Sequence, residues 1–240
     1  GLGDYDRNSG YVTGAVDLKW KTAQFNYDRG RKFTVDAMDN EETVGVAFGR
    51  LAAEFLRTKV IPEMDAFTFA KLAGTTGIST TAAAALTTGA NVITALRAAT
   101  NEMDEDEVPV EDRILYITPT LYGLVQDLDT TKSKEVLARF NKRVLVPQTR
   151  FYTEITLQDG TTEGQEAGGY VKTATTGKDI NFLAVSKSAI LKYRKHIVNK
   201  IISPEENQFS DGWTFFYRAY GLVDVYENKV AGVYLHKSTT

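Results

Sequence analysis

Cysteine is absent from the 240 residues. That single absence removes disulfides, thiolate zinc sites and cysteine nucleophiles together. Histidine is nearly absent as well, with only His196 and His236, too few for a histidine-rich metal site. No apolar run approaches the roughly 20 residues that a membrane-spanning helix needs. The net charge of −3 creates no global basic field toward nucleic acid or an anionic membrane. The usual signatures of catalysis are missing too. There is no Gly-x-Ser-x-Gly elbow, no Walker-type phosphate loop and no dinucleotide fingerprint, and Gly160 and Gly164 fall in polar stretches rather than strand-to-helix turns. No internal repeat is visible. What remains is an ordinary globular composition, 42% hydrophobic and 25% charged, in a chain long enough for one large or two modest domains.

The most informative stretch is 25–74. Phe25 and Tyr27, then Phe33 and Val35, recur at intervals of two, the period of a strand with one buried face. Upstream, Val12, Gly14, Val16, Leu18 and Trp20 alternate with Thr13, Ala15, Asp17, Lys19 and Lys21, a second strand pattern. Arg29-Gly30-Arg31 reads as a turn or bulge between strand pieces. The region 1–36 is thus expected to be a β-hairpin or ribbon with a basic exposed side, and an isolated hairpin is marginal in water. It must lean on something else. The period then changes. Asp39 followed by Glu42 is a D-x-x-E capping pattern, and Val44, Phe48, Leu51 and Phe55 form one apolar stripe of a helix. Pro62 lies inside that pattern, where it removes a donor and crowds the carbonyl of Thr58. The stripe resumes at Met64, Phe67, Phe69 and Leu72 and stops at Gly74. Either one kinked helix or two helices meeting near Ile61 fits, and the lack of a turn residue near Pro62 favours the kink. A helix from Asn40 to Ala73 would span about 50 Å.

Beyond it, 75–85 is a Thr/Ala-rich loop. A helix follows from about Gly89, with Val92, Leu96, Ala99 and Met103 on one face. Ile114–Ile117 reads as a buried strand, and Thr118-Pro119 opens a helix whose inner face is Leu121, Leu124, Val125 and Leu128. Strands are expected at Val144–Val146, Phe151–Leu157, Ile180–Val185 and Ile190–Ile202. Two β-rich runs between Trp213 and Lys237 flank Glu227-Asn228-Lys229, which reads as a hairpin turn. The chain begins in β, passes through an α/β middle and ends in β. It opens on Gly1, which predicts further residues upstream.

The candidate chemistry is sparse. The acidic run Asp104 to Glu107 lacks the ligand spacing and central glycine of a calcium loop, and reads as a solvated acidic loop. His196 and His236 have no nucleophile pattern near them and read as surface or satisfied histidines. Lys192, Arg194, Lys195, His196 and Lys200, with Tyr193 among them, could contact phosphates. On a strand Lys192, Arg194 and His196 would share a face, which also suits a solvated or interface strand. No cofactor, metal site or small-molecule substrate is called for, and the chain reads as a non-enzyme.

Three strings carry a resemblance: DYDRNSGYVTG through DRGRKFTVDAMDNEET and EFLRTKVIPEMDAFTFAKLA, then DRILYITPTLYGLV, then WTFFYRAYGLVDVYENKVAGVYLH. Together they resemble the major capsid proteins of tailed phages and prophages of Gram-positive bacteria, over nearly the whole chain. The resemblance implies an α+β fold of the Hong Kong phage capsid type. Residues 1–38 would be the E-loop hairpin, 39–77 the spine helix of the peripheral domain, 78–194 the axial domain, and 195–240 the returning strands of the peripheral domain. It implies a structural protein that assembles with itself, as pentamers and hexamers, into an icosahedral shell around phage dsDNA. A scaffold segment or protein and a portal would be further partners, no membrane would be involved, and assembly would occur in the host bacterial cytoplasm. The family's N-terminal arm has no counterpart here, and its Lys–Asn cross-linking motif is not matched. Trp20, Phe25, Arg29 and Arg31 are the expected contacts to a neighbouring subunit. An encapsulin-type nanocompartment shell is the alternative within the fold, and a phage-associated hydrolase the alternative from another class.

Overall fold

A computed structural model of the chain describes residues 1–42 and 46–239. Val44, at the start of the expected helical stripe, lies outside the described residues. Strand β1 (Tyr27–Asp36) runs into α1 (Ala37–Glu42), and α2 (Val46–Phe55) passes through one π-helical turn (Leu56–Val60) into α3 (Ile61–Ala73). Asp36 Oδ1 accepts from Met38 N at 2.9 Å at the start of α1. Asp39 lies within the first turn. Pro62 interrupts nothing. Val60 and Ile61 keep right-handed helical angles, and Pro62 occupies the start of α3, where a proline needs no donor. The π turn just ahead of it absorbs the mismatch in hydrogen bonding. The run from α2 to α3 is therefore continuous, as the kinked-helix reading expects.

After a two-residue strand β2 (Ser79–Thr80), α4 (Gly89–Glu105) starts behind Thr88, whose hydroxyl accepts from Asn91 N. Val92, Leu96, Ala99 and Met103 are fully buried on one face, as their spacing requires. Next come β3 (Arg113–Ile117), α5 (Pro119–Leu128), α6 (Thr131–Ala138) and β4 (Lys142–Leu145). The hairpin β5 (Ile155–Gln158) and β6 (Gly169–Lys172) stands apart as a two-stranded unit. The chain closes with β7 (Ile180–Ser186), β8 (Ile190–Ile202), β9 (Gly212–Val225) and β10 (Val233–Lys237).

Two larger sheets organise these elements. One has five strands in the order β2-β10-β7-β3-β4. Its central strand β7 is buried at every residue, because alternate side chains serve two cores. Phe182 and Ala184 join the core made with α4, α5 and α6. Leu183 and Val185 join a second core with Phe69 and Leu72 of α3. The other sheet has three antiparallel strands, β1-β9-β8. One face of it packs Phe215, Tyr217, Ala219 and Val223 against Met64 and Phe67. Helix α3 thus serves both sheets, its C-terminal half the larger and its N-terminal half the smaller.

Four expectations need correction. Residues 11–26 form no strand among the described residues, although the alternation is there; a strand is defined by a ladder, and no neighbour supplies one. Arg29-Gly30-Arg31 is neither turn nor bulge but the middle of β1, with Gly30 opposite Arg218. A Cβ on Gly30 would come within 2.8 Å of the Tyr217 carbonyl, so close strand approach explains the glycine. Glu227–Lys229 is not a hairpin turn, because β9 and β10 belong to different sheets. The returning strands of 195–240 therefore divide between the two sheets. The acidic run is solvated, as expected, but only its second half is a loop: Asp104 and Glu105 belong to the last turn of α4. Asp104 pairs with Arg139 and, at 2.8 Å, with Arg113. Arg113 is 1% exposed and also donates to the carbonyls of Thr100, Met103 and Val108, where α4 ends.

Candidate assembly interface

The four residues singled out from the sequence fall at three different places. Trp20 stands in the extended N-terminal segment and is 92% exposed. Phe25 lies over the face of the three-stranded sheet opposite α3. Its ring stacks on Tyr220 at 4.7 Å, with the Lys195 ammonium 5.2 Å from its centre. Arg29 and Arg31 point the other way, toward the spine, since residues two apart on a strand share a face.

Arg29 is the hub of a buried polar cluster. Its Nε donates to Glu63 Oε1 at 2.7 Å, and its Nη2 donates to the carbonyls of Gln158 and Gly169. Tyr27 donates its hydroxyl to the same Glu63 oxygen at 3.2 Å. The Arg29 and Glu63 side chains are only 23% and 12% exposed, so the charges face one another in a medium that screens poorly. Burial works against the Arg29 charge, but the hydrogen bond and charge of Glu63 outweigh it and raise its pKa. Burial first, and then the Glu63 carboxylate, push the Tyr27 hydroxyl above the ordinary tyrosine range. One guanidinium therefore fastens β1 to α3 and to the β5–β6 hairpin. Arg31 adds a bond to the Glu166 carbonyl at 3.1 Å. An open groove of about 850 Å³ runs between these elements, bordered by Arg29, Arg31, Phe55, Lys59, Tyr152 and Tyr170.

On the far side of the sheet, Asn26 clamps the root of the N-terminal segment. Its side-chain amide donates to Val223 O at 2.8 Å and accepts from Val223 N at 3.1 Å. Lys21 then pairs with Glu227, just past the end of β9. The segment ends in a tight turn: Asp6 and Gly10 exchange backbone hydrogen bonds, Asp6 Oδ1 accepts from Asn8 N and Ser9 N, and Tyr5 meets Tyr11 edge to face at 5.0 Å. Between turn and root, Val12, Val16, Leu18 and Trp20 stand in the open.

The basic cluster on β8 is split by a bulge between Arg194 and His196. Lys192 and Arg194 turn inward, to Thr68 Oγ1 at 2.9 Å and to Met64 Sδ at 2.7 Å. Burial, with Arg194 beside it, lowers the Lys192 pKa. His196 pairs with Tyr220 and so lies on the opposite face, which corrects the expectation that all three share one face. His236 is buried on β10, hydrogen-bonded to Asn181 at 3.0 Å and stacked on Phe182, and burial lowers its pKa. Among the described residues no group of His, Asp or Glu side chains could hold a metal ion. No helix of the described residues is long and apolar enough to cross a membrane.

Glu63 is the residue the sequence reading missed. It sits one position after Pro62 in a helical stripe and looks like one more surface acid; only its place opposite Arg29 distinguishes it.

No family model and no curated protein sequence matches the chain. Solved structures do. A virus-like particle from Pyrococcus furiosus aligns with a TM-score of 0.61 at 11% identity, over 91% of this chain and 79% of that one. A structure of Mycobacterium phage Che8 aligns at 0.59 and 13% identity, over 94% and 76%. The capsid of cyanophage P-SCSP1u aligns at 0.56 and 15% identity, over 98% and 81%. At such identities the likeness is one of backbone architecture, and it extends over nine-tenths or more of the chain: this chain has the phage major capsid fold.

Proposed function

We propose that the protein is a major capsid protein, a structural subunit that assembles with itself into a closed shell around phage DNA. The observation that carries this reading is the N-terminal segment. It exposes Val12, Val16, Leu18 and Trp20 at 69–98% while Asn26 and Phe25 hold its root firmly. A lone chain gains nothing from leaving so much apolar surface in water at about 25 cal/mol per Å². A shell subunit does, because a neighbour covers it. In this reading 1–26 is the reaching loop, α2 to α3 the spine, the three-stranded sheet the peripheral part and the five-stranded sheet the axial part. Trp20 meets the neighbour directly, with Phe25, Arg29 and Arg31 setting the root of the loop. The role asks no chemistry of the chain. Portal, scaffold and DNA are partners of the assembled shell, formed in a bacterial host.

The likeness to a virus-like particle also suits a nanocompartment shell, and the contents separate the two. The experiment is electron microscopy and sedimentation of the expressed chain. Closed particles or rings of five or six subunits are expected, and a monodisperse monomer opposes the reading. Particles enclosing a cargo protein in place of DNA, in the native host, favour the nanocompartment.

A further inference from the structure

His236 is 4% exposed on β10 and stacks on Phe182 at 5.0 Å. Its Nδ1 lies 3.0 Å from Asn181 Nδ2, and the same amide nitrogen donates to the Ala84 carbonyl at 2.9 Å. A carbonyl only accepts, so Ala84 fixes which end of the Asn181 amide is the nitrogen. An amide nitrogen only donates, so Nδ1 of the ring must accept. The imidazole is therefore neutral, with its proton on Nε2. Both hydrogens of one amide are engaged, one by the ring and one by the loop that holds Ala84.

That loop is 82–87, between β2 and α4. Its hydrogen bonds to the five-stranded sheet run through Ala84, whose N–H donates to Lys237 O at 3.2 Å and whose carbonyl takes the Asn181 bond. Leu86 rests on the core built with α4 and α5. Little around His236 would stabilise a positive ring. Strand β7 brings it Asn181 and Phe182, and residues 81–88 include no titratable side chain. Helix α4 offers Glu102, whose charge bears on Tyr234, and the first turn of α5 offers Tyr122. Lys237 follows on β10 beyond a register shift, and Asp179 ahead of β7 is taken by Lys172. No carboxylate of the described residues pairs with His236. Burial lowers its pKa from the 6.5 of a free imidazole.

We propose that Asn181 and His236 form an acid-operated latch: a proton taken from solvent at His236 Nδ1 turns the Asn181 amide over and releases the loop 82–87 from the sheet. Once protonated, Nδ1–H faces the Asn181 N–H, donor against donor. Turning the amide through half a circle presents Oδ1 to the ring. The same oxygen then faces the Ala84 carbonyl, acceptor against acceptor, and that carbonyl loses its donor. The ladder between β7 and β10 is made by the main chain and stays. The sign follows from linkage. The folded chain binds this proton more weakly than the unfolded chain, so the contribution to stability is complete above pH 6.5 and lost as pH falls through the lower folded value. The loop leads from the spine to α4, so the latch sets how firmly the two are joined. It lies within one chain and does not depend on the shell reading.

With two histidines in the chain, the titration is unambiguous, and exposed His196 serves as the reference. Exchange of the histidine C2 hydrogens in heavy water, followed by mass spectrometry across pH, gives each midpoint in the free or the assembled chain. The His236 midpoint is expected below that of His196. Amide protection of 83–87 is expected to fall at least about fivefold between about pH 7 and about pH 5, with 182–185 unchanged. His236→Gln keeps an acceptor and cannot titrate, and its loop protection is expected to stay level over that range. A His236 midpoint at or above that of His196 overturns the proposal. So does loop protection that stays level while His236 titrates, or an equal fall in the Gln variant. An equal fall in 182–185 also overturns it, because the whole sheet would then be opening. Should the Gln variant not fold, the two readings on the unsubstituted chain still decide.

Discussion

The two larger sheets share one spine helix and reach opposite solutions to burial. The five-stranded sheet is sealed on both faces: α4, α5 and α6 cover one, while the C-terminal half of α3 covers the other. Its central strand has no exposed residue, and the buried charge of Arg113 is matched by Asp104 and by the carbonyls of Thr100, Met103 and Val108. The three-stranded sheet is covered on one face, fastened by the Arg29–Glu63 cluster, and left open along β8. The first region is closed on both faces within one chain. The second holds its parts in place and, among the described residues, leaves β8 with a ladder on one side only. Closed packing gives stability; open edges and exposed apolar side chains give association.

That contrast can be broken by substitution. Phe182→Ala, in the sealed sheet, is expected to cost about 3–5 kcal/mol, seen as a large drop in the urea midpoint of the unassembled chain. Equal tolerance of this change and of changes on β8 would erase the distinction. Glu63→Ala leaves a half-buried guanidinium without its carboxylate and is expected to cost about 1–3 kcal/mol. Its effect should be local, with faster hydrogen exchange in β5 and β6 than in β7. The same cluster sets a pH dependence. The folded chain holds the Tyr27 proton more tightly than the unfolded chain, whose tyrosine titrates near 10.0. The stabilising contribution is therefore complete below that pH and lost as pH rises above it. Tyr27→Phe is expected to lessen the loss of stability between about pH 9 and about pH 11, read from urea midpoints. Trp20→Ala has the smallest effect on folding, within about 0.5 kcal/mol, and is expected to impair particle formation severely by sedimentation. Loss of monomer stability on a similar scale to Phe182→Ala would mean that Trp20 belongs to its own chain's core.

Much of the sealed region is legible in the sequence. Helix α4 shows its buried face in Val92, Leu96, Ala99 and Met103, and β3 to α5 is announced by Ile114–Ile117 and Thr118-Pro119. These segments carry full apolar periods and strong local stop signals. Helix α6 is not legible, because Thr131–Ala138 is short and polar and is closed by a Thr130–Ser133 capping box in place of the commoner Glu or Gln. In the open region the alternation of 12–20 is plain, but alternation reports only that one side is apolar. It does not say which chain provides the partner. Gly30 misleads for a related reason: a glycine between two arginines looks like a turn, whereas strand-to-strand distance demands it. Arg29 and Arg31 were expected at a neighbour's surface; the fold shows the donors of Arg29 engaged with Glu63, Gln158 and Gly169.

The sequence by itself determined the change from a strand period to a helical one after Val35, the stop of the helix at Gly74 and the absence of cysteine. Each of these is local, set by side-chain spacing or composition. Only the tertiary structure decided that β10 leaves β9 for the other sheet and that Glu63 sits beside Arg29. Those are contacts between residues far apart in the chain, and spacing along a sequence carries no information about which distant edge a strand will meet.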